Sequence, residues 1–163
     1  LHEQRRKSLG LDKLTYYDNG VFFKEGNPKP IGTPEEILEA GRQMYRELSP
    51  ETGEFIDFML ENELFDVLGR MGKQAGGYMT FIANYKSPFV FANFNGTSGD
   101  VDVITHECGH AFQGYLAMRS IPVAAQCGST SEINETHSMS MEHFAYPWMD
   151  LFFGDKYWEI LLV

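Results

Sequence analysis

The pentapeptide His106-Glu107-Cys108-Gly109-His110 constrains this chain more than any other stretch. Histidines four positions apart lie about 40° from one another around an α-helix, so both imidazoles face one pocket. Convergent imidazoles are a metal site in outline, and the fold must supply a helix and a facing element to complete it. Glu107 leans over the same rim and is placed to take a proton from a water that the metal activates, without being a ligand itself. Cys108 falls on the opposite side of the helix and is expected to pack inside the protein.

A catalytic zinc ion takes three protein donors and keeps one position open, so a further nitrogen or oxygen donor must come from elsewhere in the chain. The best candidate is Glu135, in the run Ser131-Glu132-Ile133-Asn134-Glu135-Thr136-His137-Ser138-Met139-Ser140-Met141-Glu142. If that run is helical, Glu135, Ser138, Met139 and Glu142 share one face. Glu142 then sits where it can accept the spare N–H of a liganding histidine, a contact that fixes tautomer and ring orientation. Glu132, one turn before Glu135, is a second candidate for that role. His137 is expected to point elsewhere.

These pieces, with others around them, resemble the M3 metallopeptidases, and most closely the oligoendopeptidase F group. The likeness runs over residues 72–142. It includes Gly72-Lys73-Gln74-Ala75-Gly76-Gly77, the strand-like Pro88-Phe89-Val90-Phe91-Ala92-Asn93-Phe94-Asn95-Gly96-Thr97, the His-Glu-x-x-His core and a Glu-x-x-Ser-x-x-x-Glu run over 135–142. The spacing from His110 to Glu135 is similar to that of the family, and Leu9-Gly10-Leu11-Asp12-Lys13-Leu14 is similar to a segment those enzymes carry ahead of the catalytic region. The resemblance implies short unfolded oligopeptides as substrates, reached through a channel between two helical lobes. It also implies tyrosine and histidine side chains from a later segment that stabilise the oxyanion. No matching segment follows Glu142 here, so this piece alone is expected to bind metal and to cleave poorly.

Composition narrows the partners. A net charge of -10 argues against a nucleic-acid groove, which needs clustered Lys and Arg. Cys108 and Cys127 make no disulfide framework, and one lies inside the metal motif, so a reducing, cytoplasmic setting is the simpler expectation. No apolar run reaches membrane-spanning length. The chain opens without Met and ends in the apolar Leu161-Leu162-Val163, so amino- and carboxy-terminal parts of a longer parent are expected to be missing.

The 163 residues read as one partial catalytic domain: a helical entry segment over 1–70, a hairpin over 77–95, zinc-site helices over 98–145 and an aromatic helical end over 146–163. Arg5-Arg6-Lys7 reads as a solvated face. Val21-Phe22-Phe23 reads as a short strand or buried loop. Thr33-Pro34-Glu35-Glu36 carries a capping box with proline in the first turn, which opens a helix with Ile37, Leu38, Met44, Tyr45 and Leu48 as its apolar stripe. Ser49-Pro50-Glu51 repeats the start signal, and a second helix is expected from about Pro50 to Leu68, with Phe55, Phe58, Met59 and Leu64 inward. The glycines around Lys73 fail the phosphate-loop pattern, because no Ser or Thr follows the lysine. Close approach of backbone to a neighbouring helix or to a bound peptide remains open for Gly76 and Gly77.

Residues 78–84 and 89–93, either side of a turn, read as a β-hairpin. In metallopeptidases built on this helix motif an edge strand commonly pairs with extended substrate. That likeness assigns Gly76, Gly77, Phe89, Val90, Phe91, Ala92 and Asn93 to substrate binding, against the alternative that the hairpin only roofs the core. Ser98 or Asp100 is expected to cap the metal helix, with Val101, Ile104, Phe112 and Leu116 packing and Ser120-Ile121-Pro122 ending it. Phe144, Tyr146, Trp148, Phe152, Phe153, Tyr157 and Trp158 predict one or two aromatic helices, packing in part against regions absent here.

The fold expected is mainly α, a zincin-like helical metallopeptidase catalytic region with a small antiparallel hairpin. The function expected is zinc-dependent endopeptidase chemistry on oligopeptides, with one Zn2+ on His106, His110 and Glu135 and Glu107 as general base. Three alternatives stand beside it: a thermolysin-like zinc peptidase of another clan, a non-catalytic metal- or peptide-binding module, and a fortuitous motif whose histidines are ordinary core residues.

Overall fold

The computed structural model describes residues 2–162. The chain is mostly helical and carries a small three-stranded mixed sheet. The entry segment has α1 (His2–Leu9), a 3-10 turn at Tyr16–Asp18 and loop up to residue 33. Val21-Phe22-Phe23 forms neither a strand nor a buried loop: Val21 is exposed and the two phenylalanines are half-buried.

α2 (Pro34–Leu48) begins as its residues dictate: the Glu36 N–H donates to the Thr33 hydroxyl, and the Thr33 N–H donates to the Glu36 carboxylate at 2.7 Å. α3 (Pro50–Glu61) follows after a single residue, Ser49, whose Oγ accepts from the Thr52 N–H. Asp57 accepts from Arg42 and Arg46 across the pair, and the buried Thr52 hydroxyl donates to the Tyr45 carbonyl at 2.7 Å.

The expected helix to Leu68 stops at Glu61. Glu63 adopts φ +54°, which turns the chain, and Phe65–Leu68 becomes strand β1. β2 (Tyr78–Ile82) and β3 (Ser87–Phe94) form the antiparallel hairpin, and β1 adds to it in parallel, giving the order β1-β3-β2.

A continuous helical run follows, made of α4 (Gly99–Asp102), a π-turn (Val103–Glu107) and α5 (Cys108–Ser120). Neither expected cap bonds the helix start: Ser98 makes no side-chain cap bond, and the buried Asp100 carboxylate instead accepts the N–H groups of Asn95 and Gly96 in the preceding loop. Val101, Ile104 and Cys108 are buried as expected, whereas Leu116 is exposed. α6 (Ser131–Phe144) returns across α5. The aromatic end is broken into α7 (Met149–Phe153) and α8 (Tyr157–Ile160), with Gly154 at φ +54° between them. Phe152 and Phe153 enter the main core beside Met44, Phe55, Val90 and Tyr115, while Tyr157 and Trp158 stay exposed. No helix among the described residues is long and apolar enough to cross a membrane.

Candidate metal centre

Gly109 lets α5 and α6 meet backbone to backbone. A Cβ at that position would lie 2.8 Å from Ser138 Cα, so only glycine permits the crossing. The crossing sets Glu135 over the two histidines. Its Oε2 lies 3.1 Å from His106 Nε2 and 3.6 Å from His110 Nε2, and one donor atom from each of the three residues falls within 4.8 Å of the others. The two imidazoles stand nearly perpendicular, with ring centroids 4.9 Å apart.

Each donor is held by a neighbour. His106 Nδ1–H donates to the Glu142 carboxylate at 2.5 Å, which turns the Nε2 lone pair toward Glu135. The buried Ser138 hydroxyl contacts the Glu135 carboxylate at 2.9 Å, and this bond, ahead of any other cause, keeps the carboxyl below its ordinary range and ionised. His110 is pushed down by burial and then by its neighbour His106, which favours the neutral, ligating form. Two imidazole nitrogens and one carboxylate brought this close make a donor set of the kind that can hold a metal ion such as zinc.

Two sequence expectations fail here. Glu132 is exposed and touches neither histidine; its carboxyl is held by its own backbone and by Thr130. His137 does not point away: its Nε2 lies 3.4 Å from His110 Nδ1, where it supplies the orienting contact that Glu132 was expected to give. Glu135 and His137 both come within one turn before Ser138, the residue at the backbone crossing, and both line the pocket. Ser138 itself was legible only as a position on the face, not as the group that orients Glu135.

Glu107 stands half-buried beside the cluster. Burial raises its carboxyl above the ordinary range, and the charge of Glu135 adds to this, while His106 and the Met79 N–H pull the other way. A carboxylate so placed is a stronger base than one in water.

The strand beside the site is β2, not β3. β3 is central, with β1 on one side and β2 on the other, so the backbone of Phe89, Val90 and Phe91 is already paired, the Ala92 carbonyl accepts from Lys73, and Asn93 lies in the same central strand. Val90 donates its N–H to the Leu64 carbonyl at 3.0 Å, and Pro88 has no N–H. Their partners on β2, Met79 and Phe81, therefore turn their own N–H and C=O groups to the free edge. That edge lines a cavity of about 240 Å³ with His110, Gln113, Glu135 and His137. Gly76 and Gly77 lead into β2 and are exposed. The side chain of the lysine between the glycines is buried: Lys73 Nζ donates to Asp66, to the Leu68 carbonyl and to the Ala92 carbonyl at 2.6 Å, tying β1 to β3.

The model of Peptidase family M3 matches residues 53–154. An X-ray structure described as an oligoendopeptidase F is 50% identical at a TM-score of 0.95, covering 99% of this chain and 28% of that one. PZ peptidase A with an inhibitor is 50% identical at 0.94, with 98% and 28% covered. An oligoendopeptidase F from Bacillus anthracis str. Ames is 49% identical at 0.93, with 99% and 29% covered. The chain thus spans less than a third of the length of these structures. Curated proteins give no significant match.

Proposed function

The chain belongs to peptidase family M3, and on that footing we propose that it carries the metal centre of a zinc-dependent endopeptidase acting on short oligopeptides. His106, His110 and Glu135 hold one zinc ion per chain. When bound, zinc lowers the pKa of a water toward neutrality and polarises the scissile carbonyl. Glu107 takes the proton of the attacking water and delivers it to the leaving amine. His106 is kept in register by Glu142, and Glu135 by Ser138. The observation that carries this reading is the convergence of the three donor atoms within 4.8 Å, with the raised carboxyl of Glu107 beside them.

Substrate backbone lies along the outer edge of β2, where the Met79 carbonyl and the Phe81 N–H and C=O turn away from β3 and the Met79 N–H meets the Glu107 carboxylate. Such pairing holds an extended peptide without demanding a sequence. The β3 residues act from behind this edge by positioning it. A cytoplasmic location belongs to the same proposal, supported by two buried cysteines that remain free thiols.

Replacing Glu107 by Gln in the complete natural polypeptide should lower cleavage of a fluorogenic peptide by about a thousandfold while zinc content stays at one per chain. Turnover retained in that variant would remove Glu107 from the mechanism.

A further inference from the structure

The helical run that carries the motif is not regular where the motif begins. At the end of the π-turn, the Cys108 N–H reaches the Val103 carbonyl five residues back and passes over the Ile104 carbonyl four back. His106 and Glu107 lie inside this wide turn, whereas His110 lies in the regular helix after it. The relative direction of the two imidazoles is therefore set across the junction. A π-turn is less favourable than α-helix and persists where something outside the helix holds it.

That holder is α2. Tyr45 is fully buried, and its hydroxyl donates to the Ile104 carbonyl at 2.8 Å, the acceptor that Cys108 leaves. One turn earlier on the same face of α2 is Gly41, where a Cβ would lie 2.6 Å from Ile104 Cγ2. Ile104 is thus gripped twice, its side chain seated against the bare glycine backbone and its carbonyl capped by a phenol. His106 follows two residues later. The edge-to-face packing of Tyr45 on Phe55, with centroids 5.9 Å apart, fixes the ring that carries the hydroxyl.

We propose that this grip on Ile104 holds the π-turn in register, and that Tyr45 is a positioning residue that aims His106 and Glu107 at the metal and the attacking water. The inference rests on the zinc peptidase reading above and adds a distant residue on another helix to it. Tyr45 touches neither metal nor substrate; its effect passes through the turn.

The test uses Tyr45→Phe in the complete natural polypeptide, which keeps the ring and removes only the donor. Tyr115→Phe is the control. It loses a phenolic bond of the same 2.8 Å length, to Glu54, from the regular helix beyond the turn. Zinc affinity is read by chelator competition, and kcat and KM by peptide hydrolysis. Tyr45→Phe should raise the zinc dissociation constant and lower kcat, each by about tenfold, with KM within about twofold, while Tyr115→Phe leaves all three unchanged. Wild-type zinc affinity and kcat in Tyr45→Phe would overturn the proposal, as would equal losses in both variants, which would mark a general loss of packing. Either result leaves the functional reading standing. Absence of zinc binding in the unsubstituted protein would sink that reading, and this inference with it. If Tyr45→Phe fails to fold, Gly41→Ala decides: it presses on Ile104 with the hydrogen bond intact, so it should shift zinc affinity and kcat in the same direction. Wild-type values in Gly41→Ala would then overturn the proposal.

Discussion

Glu107 and Glu135 carry the same side chain and are given different work by their surroundings. The Ser138 hydroxyl keeps Glu135 ionised as a donor, and burial makes Glu107 basic. Glu142 has a third task, holding the His106 tautomer. Replacing Glu142 by Ala frees that ring to rotate and should weaken zinc binding by about ten- to a hundredfold, read by chelator competition, with the fold retained. At this scale much of the site was legible in the residues. The i, i+4 histidines, the adjacent glutamate and the i, i+7 pair Glu135 and Glu142 each follow from helical geometry. His137 was not legible, because two residues from Glu135 on a helix normally means the opposite side. It reaches His110 only because the helices touch at Gly109, a closeness that the spacing of α6 alone does not reveal.

Among elements, the crossing of α5 and α6 is the joint on which the metal centre depends. Gly109→Ala puts a methyl against Ser138 Cα and forces the helices apart, carrying Glu135 from the histidines. Zinc affinity should fall with it, and stability by about 1–3 kcal/mol, measured by chelator competition and chemical denaturation. The second joint is the buried Lys73 ammonium between β1 and β3. Lys73→Met leaves the Leu68 and Ala92 carbonyls without their donor and should cost on the order of 2 kcal/mol. The helix starts at Thr33 and Ser49 and the hairpin were readable because each carries local chemistry, a capping box or a turn. β1 was not: no glycine or proline marks the end of α3, the reversal rests on Glu63 at positive φ, and Phe65, Val67 and Leu68 continue an apolar pattern a helix could use. With β1 unseen, β3 was taken for the strand available to substrate. The π-turn was equally silent, since its residues carry no breaker.

Over the whole molecule, acidic groups outnumber basic ones, and the carboxylates that matter most to stability are those given partners. Asp66 is held well below the ordinary carboxylate range, chiefly by Arg70 and then Lys73; Asp57 is lowered chiefly by Arg46 and also by Arg42. A folded value below the unfolded one gives stability that is full above the unfolded pKa and is lost as pH falls through the folded pKa. Asp66→Asn should therefore lower the thermal midpoint at neutral pH, and its deficit against the unsubstituted protein should shrink as pH falls below about 4. A deficit constant down to acid pH would mean that the charge of Asp66 is not what stabilises.

The central claim is that two imidazoles and one distant carboxylate share a single zinc ion. Diffraction from zinc-loaded crystals of the complete polypeptide, recorded at the zinc absorption edge, tests it directly. One anomalous peak is expected about 2.0–2.2 Å from His106 Nε2, His110 Nε2 and a Glu135 carboxylate oxygen. A peak at the histidines with another donor in the place of Glu135, or no peak between them, would contradict it.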